Sequence, residues 1–390
     1  MKMRSITVLG AGMVGSAIAK DLGRQYSVTV ADNSRESLER LKSQADIQIQ
    51  TADLSDPEAV RLAIRDADLV IGALPGFMGF ETLKTVIEAG KNIVDISFFG
   101  EDPFLLDASA RKNGVTAVVD FGVAPGMSNL ILGFWNARMR VESFECLVGG
   151  LPAVRTWPFQ YKAPFSPVDV LEEYTRPARL VENGMVVTRP ALSESEFVEF
   201  NGIGTLESFN TDGLRTLIET MKIPFMKEKT LRYPGHIDAI RILRESGFLD
   251  KEPIRVRGAE IRPIELASQL LFPKWKLRED EAEFTVMRIA IRGGGKNESR
   301  EIIYSLFDRF DSGTGISSMA RTTGYACAAA ARLVLEGKFK QKGIIPPERV
   351  GENLECFTQV MRDLSERGVI YDMEEQVLEG KVEGWKLKVE

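Results

Sequence analysis

A glycine-rich segment near the start of the chain has the residue types and the spacing that bind a dinucleotide. Gly10, Gly12 and Gly15 form a Gly-x-Gly-x-x-Gly pattern between a short apolar run and a segment with helical spacing. Gly10 permits a tight turn, Gly12 lets the backbone approach a pyrophosphate, and Gly15 lets the helix pack closely on a strand. The phosphates would lie at the start of this helix, on unpaired N–H groups beside Met13 and Val14.

Asp32 ends the next predicted strand, which is where a dinucleotide-binding domain places an acidic residue. Its carboxylate would accept hydrogen bonds from the ribose hydroxyls and repel a 2′-phosphate, which favours NAD over NADP. Arg35, three residues further on, leaves NADP open. The alternative interpretation is a glycine-rich turn without a chemical role, and the strand, helix and acid that surround the pattern argue against it.

Loops that follow three further predicted strands should line the same crevice, because ligands bind at the carboxyl ends of parallel strands. The loop after the third strand would meet the adenine, and the loop after the fourth would lie near the second ribose. Ordinary turn chemistry is the alternative for each loop. The candidate residues are Asp53, Leu54, Ala73, Leu74, Pro75 and Asp95.

Strands and helices alternate along the first 122 residues and would position these loops. Single helices between strands imply right-handed crossovers and a doubly wound parallel sheet, the Rossmann arrangement. Asp56 and Pro57 are typical of a helix N-cap and first helical position. The predicted strands are residues 4–9, 27–31, 47–50, 68–73, 92–96 and 115–119, and the helices are 16–22, 35–42, 58–65, 80–89 and 102–112.

Beyond residue 130 the alternation stops and a different architecture begins. Residues 284–292 and 300–310 are rich in Ile, Val, Tyr and Phe, and we predict a hairpin of two strands with Gly293–Lys296 as its turn. We therefore expect an α/β fold: a Rossmann domain over residues 1–122, a central α+β domain with a mixed sheet over 123–316, and C-terminal helices over 317–390. These helices, starting with the alanine-rich residues 319–335, would return to the Rossmann domain.

Composition excludes several classes of function. The net charge of -6 argues against nucleic-acid binding. Three widely spaced cysteines and a single histidine exclude a Cys/His zinc site, so no metal is expected. No apolar stretch reaches the roughly 18 residues of a membrane span, and the N-terminus does not resemble a signal peptide. We expect a cytoplasmic protein with a small-molecule substrate.

Several segments carry a resemblance to a known family. The most specific are Ala-Pro-Gly-Met at residues 124–127 and Arg-Tyr-Pro-Gly-His at residues 232–236. In these and other segments the chain resembles the saccharopine dehydrogenase-like family, most closely its lysine 6-dehydrogenase branch. The matching segments are residues 10–15, 120–129, 148–152, 165–166, 169–175, 183–184, 209–213, 232–236 and 319–323.

The resemblance implies a reaction type. Proteins of this family would move a hydride from a carbon bearing an amine to NAD, after which water hydrolyses the imine. It also implies a Rossmann domain completed by C-terminal helices, and a central domain that supplies substrate contacts and a homo-oligomer surface. Lysine enzymes carry a histidine just before Phe165, where this chain has Ala163 and Pro164. A saccharopine-type secondary-amine oxidoreductase and a non-catalytic NAD-binding protein therefore remain alternatives.

Substrate-binding candidates follow from that reaction. Arg232 could pair with a substrate carboxylate, supported by Tyr233 and Thr211, or could be a structural or solvated arginine. Backbone N–H groups near Gly126 and Asn129 could meet the nicotinamide or the substrate. Tyr161, in an aromatic cluster, could wall the substrate pocket, although core packing would explain it as well.

Two residues are candidates for proton transfer. His236 is the only histidine and has an ordinary pKa near neutrality, so it could activate water or bind a carboxylate. A structural hydrogen-bonding histidine is the alternative. Asp120 ends the sixth predicted strand, beside the cofactor crevice, where a partly desolvated carboxylate could accept a proton. Capping of the following turn would explain Asp120 equally well.

Overall fold

Strands and helices alternate over the first 136 residues of the computed structural model, which describes residues 3–278, 281–295 and 298–378. Asp56 caps one of these helices by accepting the N–H of Glu58, and Pro57 is the first helical residue, as predicted. The elements are β1 (Ser5–Leu9), α1 (Met13–Leu22), β2 (Ser27–Asp32), α2 (Arg35–Gln44), β3 (Gln48–Thr51), α3 (Pro57–Ile64), β4 (Leu69–Gly72), α4 (Gly76–Glu88), β5 (Ile93–Asp95), a 3₁₀ turn (Pro103–Leu106), α5 (Asp107–Lys112), β6 (Thr116–Val118) and α6 (Met127–Asn136).

The middle of the chain is dominated by longer strands. The predicted hairpin is present, with antiparallel strands that begin at Glu283 and end at Arg309, although Lys296 of its predicted turn lies outside the described residues. The elements are β7 (Arg140–Pro152), α7 (Pro167–Thr175), β8 (Ala178–Glu182), β9 (Met185–Arg189), β10 (Glu196–Phe200), β11 (Gly204–Asn210), α8 (Leu217–Thr220), β12 (Phe225–Arg232), α9 (His236–Glu245), β13 (Ile254–Val256), β14 (Ala259–Ile261), α10 (Pro263–Trp275), β15 (Glu283–Gly294) and β16 (Ser299–Arg309).

The last part of the chain contributes to both sheets. Its elements are α11 (Ser318–Leu335), β17 (Gly343–Ile345), α12 (Pro347–Gly351), α13 (Leu354–Ser365) and β18 (Tyr371–Leu378). The helix α11 packs on α1, where Arg332 contacts Asp21 at 2.6 Å. The expectation of helices alone is wrong for this segment. β17 is too short to show a periodic pattern, and β18 exposes both faces at a sheet edge, so its sequence does not alternate between apolar and polar residues.

Within the described residues, two large sheets organise these elements. The first has seven parallel strands in the order β17-β6-β5-β4-β1-β2-β3. The second is mixed: β7 runs parallel to β12 and antiparallel to β15, and β18 forms an edge beside β16. The predicted fold class, a Rossmann sheet with a separate mixed-sheet domain, is confirmed. Because the strand order reverses between β1 and β4, a crevice for a ligand opens at their carboxyl ends.

Candidate functional site

A cavity of about 1470 Å³ lies between the glycine-rich loop of the parallel sheet and strand β12 of the mixed sheet. Typical small-ligand pockets enclose roughly 300–1,000 Å³. This cavity is therefore large enough for a dinucleotide and a second, smaller molecule. Its position at the carboxyl ends of β1 and β4 is the one that the doubly wound topology predicts.

The glycine loop has the shape that a pyrophosphate requires. Gly10 has a φ of 110°, which favours glycine, and a Cβ on Gly15 would lie 2.1 Å from the carbonyl oxygen of Gly10. Gly12 differs, because no atom lies within 4 Å of the place where its Cβ would be. The helix α1 then begins at Met13 without a side-chain cap, so its first N–H groups face the cavity beside Val14. This loop fits the phosphates of a dinucleotide.

Asp32 is held against this loop at the end of β2. One carboxylate oxygen accepts the N–H of Ala11 at 2.7 Å, and the other accepts the N–H of Ser34 at 2.7 Å. Its side chain also lines the cavity. Arg35 does not reach the lining; it is exposed and pairs with Glu39.

Two cations of the cofactor side, Lys20 and Arg40, line the cavity and were missed by the sequence analysis. Arg40 lies on α2 and Lys20 on α1, which are the helices that flank Asp32. Lys20 follows the glycine pattern, and Arg40 follows Asp32, by one or two helical turns. This spacing could have suggested both residues.

The loops after the other strands contribute unequally. Ala73, Leu74 and Pro75 line the cavity as predicted. Asp53 is exposed and accepts a hydrogen bond from the Ser55 hydroxyl, which lowers the pKa of its carboxyl. Asp53 does not line the cavity, and its predicted contact with the cofactor stays a prediction.

The prediction of a direct cofactor contact is wrong for Leu54 and Asp95, which are both buried away from the cavity. Leu54 is buried in the core beneath the sheet. Asp95 is buried behind β4, where it accepts the N–H of Ser97 at 2.9 Å, and burial raises the pKa of its carboxyl to about 8. A Cβ on Gly72 would overlap Asp95, so the carboxyl packs against the neighbouring strand.

The opposite wall is formed by alternate residues of β12. Glu228, Thr230 and Arg232 all line the cavity, because side chains two residues apart point to the same face of a strand. Thr211 joins them through a 3.0 Å hydrogen bond between its hydroxyl and that of Thr230. Arg232 and Thr211 were predicted from the sequence as substrate-binding residues, whereas Glu228 and Thr230 were not. The alternation upstream of Arg232 was the signal that could have identified them.

Arg232 is almost fully buried and is held on several sides. Its Nη2 contacts Glu173 at 2.6 Å, its Nε donates to the Tyr174 hydroxyl at 3.1 Å, and its guanidinium lies 4.4 Å from the centre of the Tyr161 ring. Burial of the guanidinium lowers its pKa, and the surrounding Tyr161, Tyr174 and Glu173 groups more than offset this and raise it overall. Its Nη1 also donates to the carbonyl of Leu231 at 2.9 Å. The side chain is thus a fixed, permanently charged group at the cavity wall, and its positive charge suits a carboxylate.

His236 lies behind this arginine rather than in the cavity lining. Nδ1 lies 2.7 Å from the carbonyl oxygen of Phe159. Because a carbonyl can only accept a hydrogen bond, Nδ1 carries the proton. Nε2 therefore accepts a hydrogen bond from the Tyr174 hydroxyl at 2.9 Å. Burial and the nearby Arg232 lower the pKa of the imidazole to about 3. The predicted role in activating water is wrong, because both nitrogens are occupied and the ring stays neutral. His236 instead orients Tyr174, which in turn holds Arg232.

Asp120 lines the cavity, but as half of an ion pair. Both of its carboxylate oxygens accept N–H groups of Arg215 at 3.1 Å, and both side chains are nearly inaccessible to solvent. The backbone of Asp120 has a φ of 54°, which places it in the left-handed region. Its oxygens are already committed to Arg215, so the geometry does not support the predicted role as proton acceptor.

Four other predicted residues lie outside the cavity lining. Gly126 packs against Gly122, and Asn129 donates to Glu348 at 3.2 Å inside the core. The Tyr233 hydroxyl donates to the carbonyl of Pro152 at 2.9 Å. Tyr161 lies under Arg232 instead of facing the cavity. These positions are wrong as direct substrate contacts, because each polar group is used to hold a neighbouring segment.

The described residues contain no cluster of histidine, cysteine, aspartate or glutamate arranged to hold a metal ion. In the same part of the chain, no helix has both the length and the apolar character needed to span a bilayer.

Comparison with known proteins gives a consistent family. A family described as "Saccharopine dehydrogenase NADP binding domain" matches residues 6–118, and "Saccharopine dehydrogenase C-terminal domain" matches residues 122–369. A saccharopine dehydrogenase [NADP(+), L-glutamate-forming] of Pyricularia oryzae is 24% identical, over 94% of this chain and 98% of its own length. The mitochondrial alpha-aminoadipic semialdehyde synthase of Mus musculus is 22% identical over 96% of this chain.

The chain spans about half of that mouse relative, 48% of its length. Among solved structures, apo saccharopine dehydrogenase (L-Glu forming) of Saccharomyces cerevisiae has a TM-score of 0.76 at 20% identity, covering 96% of this chain and 100% of the other. That likeness confirms the fold. Because the two family descriptions together match most of the chain, the chain belongs to the saccharopine dehydrogenase family.

Proposed function

We propose that this protein is a nicotinamide-dependent dehydrogenase that oxidises a carbon–nitrogen bond of an amino acid. The observation that carries the proposal is one cavity with two unlike walls. The glycine loop and Asp32 form the first wall, and the buried guanidinium of Arg232 lies in the second. Family membership supports the same class of reaction, since the named relatives include saccharopine dehydrogenases.

The residues present fit a dinucleotide. Gly10, Gly12 and Gly15 with the start of α1 would hold its phosphates, and Asp32 its ribose. When bound, the nicotinamide supplies a hydride acceptor. The buried positive charge of Arg232 attracts the substrate carboxylate, and the Thr211–Thr230 pair offers hydroxyl groups for polar contacts beside it.

We propose NAD as the preferred cofactor, because Asp32 places a negative charge where NADP carries its 2′-phosphate. Two observations favour NADP instead. The matched family is described as NADP binding, and Lys20 and Arg40 line the same part of the cavity. Parallel titrations with NADH and NADPH decide between them.

The side-chain amine of L-lysine is the first candidate substrate. The resemblance to lysine 6-dehydrogenases supports it, with ammonia as a product. Saccharopine is the second candidate, supported by the relatives that cover nearly the whole chain and are named for saccharopine. A homo-oligomer, a cytoplasmic location and the three domain boundaries stay predictions.

The test is NADH or NADPH formation followed by absorbance, with lysine, ornithine and saccharopine as substrates at mildly alkaline pH. Turnover of lysine that reverses only with ammonia supports the first candidate. Turnover of saccharopine alone supports the second, with glutamate required for reversal. Cofactor binding without oxidation of any amine would contradict the proposed function and favour a non-catalytic dinucleotide-binding protein.

A further inference from the structure

One buried acid in the cavity wall, Glu228, forms no salt bridge with any described residue. Glu228 is 4% exposed and lines the cavity from β12. Among the described residues, its Oε2 has no hydrogen-bond partner. An unpaired polar atom in such a place costs free energy, so it commonly marks a position that a ligand completes.

The charged side chains near Glu228 form salt bridges with one another and not with Glu228. Arg215 pairs with Asp120, and Arg232 pairs with Glu173. A third pair, Arg179 with Asp212, has a contact of 2.8 Å. Each of these nearby arginines already faces a carboxylate, so an ionised Glu228 adds a negative charge to this wall that these three arginines do not offset. Such a wall attracts a cationic group of the substrate more strongly than an additional carboxylate.

We propose, on the basis of the function proposed above, that Glu228 receives the substrate's amine and takes its proton before oxidation. The substrate enters as an ammonium ion. An N–H bond breaks, the proton moves to the Glu228 carboxylate, and the electron pair stays on nitrogen. The neutral amine is then ready to lose hydride from the adjacent carbon, because that loss needs the nitrogen lone pair.

The same geometry defines a class of substrate. Glu228 and Arg232 are four residues apart on one strand, so their Cα atoms lie roughly 13 Å from each other. A molecule that meets both side chains carries its carboxylate at one end and the reacting amine several bonds away. An amine at the end of a long side chain satisfies this spacing, whereas an α-amine next to its carboxylate does not.

The surroundings of Glu228 set the pH at which this proton transfer is possible. Burial, together with the negative groups around it, raises the pKa of its carboxyl to about 8, although Arg215 opposes this rise. At neutral pH the free protein therefore holds Glu228 protonated. When the ammonium ion binds, Glu228 releases this proton to solvent, and the resulting carboxylate then takes a proton from the ammonium ion. The charged or titratable groups that face Glu228 are Glu173 on α7, Asp212 and Arg215 after β11, Asp120 after β6, Cys146 on β7 and Arg232 on β12.

Titration calorimetry of the full chain, saturated with NADH or NADPH so that no turnover occurs, measures this exchange directly. L-Lysine is the probe, saccharopine is run in parallel, and buffers of different ionisation enthalpy report the protons released. Wild-type protein should release close to one proton more than Glu228→Gln at about pH 7, and the difference should vanish by about pH 9.5. Glu228→Gln should also lose the rise of kcat/KM through about pH 8.

Glu283→Gln is the matched control, because Glu283 is a buried carboxyl whose pKa burial raises to about 7, yet it does not line the cavity. Its proton release should equal that of the wild type. If wild-type protein oxidises an amine but binds it without proton release at neutral pH, Glu228 has no such role and the proposed function stands. This outcome is measured on wild-type protein alone, so it does not depend on whether the variants fold. If wild-type protein oxidises no amine, both proposals fall.

Discussion

Gly213 lies directly against the carboxyl group of Glu228: a Cβ on Gly213 would be 1.7 Å from Oε1 of that residue. Gly213 has no positive φ, so its backbone alone would accept any residue. The absence of a side chain there is explained by the space that Glu228 needs. The wall of the cavity is thus shaped around this one acid.

Gly213→Ala tests that relationship. The new methyl group should push Glu228 away from its position and lower kcat/KM by roughly tenfold or more, because small misplacements of reacting groups are costly. Steady-state kinetics and NADH binding measure the effect. Gly295→Ala is the control, since among the described residues no atom beyond its chain neighbours lies within 4 Å of its Cβ position. Equal kinetics for the two variants would show that the contact is unimportant.

Arg232→Lys should weaken substrate binding while leaving cofactor binding intact. Lysine keeps the charge that offsets Glu173 but cannot form a planar fork, so KM should rise roughly 100-fold. The same substitution at Arg179, whose pair with Asp212 lies beside the cavity and whose side chain is outside its lining, should leave KM near the wild-type value. A KM that responds equally to both variants contradicts the role of Arg232 as anchor.

His236→Asn distinguishes a structural histidine from a base. Because its pKa is lowered to about 3, the imidazole stays neutral across the working pH range, and the pH profile of kcat/KM should keep its shape. KM should rise several-fold as Tyr174 and Arg232 lose their support, roughly 1 kcal/mol. A profile that loses one ionisation near neutrality would restore the catalytic interpretation.

The same substitution has a consequence for stability. The folded pKa of His236, about 3, is below its unfolded value near 6.5, so the unfolded state binds the extra proton first. The contribution of His236 to the free energy of unfolding is therefore complete above about pH 6.5 and decreases as the pH falls towards about 3. Denaturant unfolding at several pH values should show a shallower acid-side slope for His236→Asn than for the wild type.

Asp32→Asn tests the cofactor preference. The amide keeps an acceptor for the Ala11 N–H group but removes the negative charge, so kcat/KM with NADP relative to NAD should rise roughly tenfold. Arg35→Gln is the control, since Arg35 pairs with Glu39 outside the cavity and should not change the ratio. An unchanged ratio in Asp32→Asn would mean that Lys20 and Arg40 decide the preference.

The dinucleotide-binding half was predictable because its signals are local. The spacing of Gly10, Gly12 and Gly15 and the acid at the end of β2 all lie within one βαβ unit, where chain order fixes spatial order. The prediction for Asp95 is wrong because its position at the end of a strand does not tell which way the side chain turns. Asp95 turns into the sheet and is satisfied by Ser97.

The substrate half depends on contacts between distant segments. Arg232 was identifiable by its residue type, but its use of Glu173 and Tyr174 follows from packing α7 on β12. For the same reason His236 could not be recognised as a support, because its partner Phe159 lies 77 residues away. The alternating pattern of β12 could have placed Glu228 on the same face as Arg232. Nothing in the sequence shows that Glu228 forms no salt bridge with the described residues.

The return of the chain to both sheets has a consequence for its synthesis. β17 completes the parallel sheet beside β6, and β18 completes the mixed sheet beside β16. Strands β6 and β16 therefore each lack one neighbouring strand until the segments that hold β17 and β18 have been synthesised. Such edges template aggregation, so a fragment that holds only the nucleotide-binding half and lacks β17 should be poorly soluble.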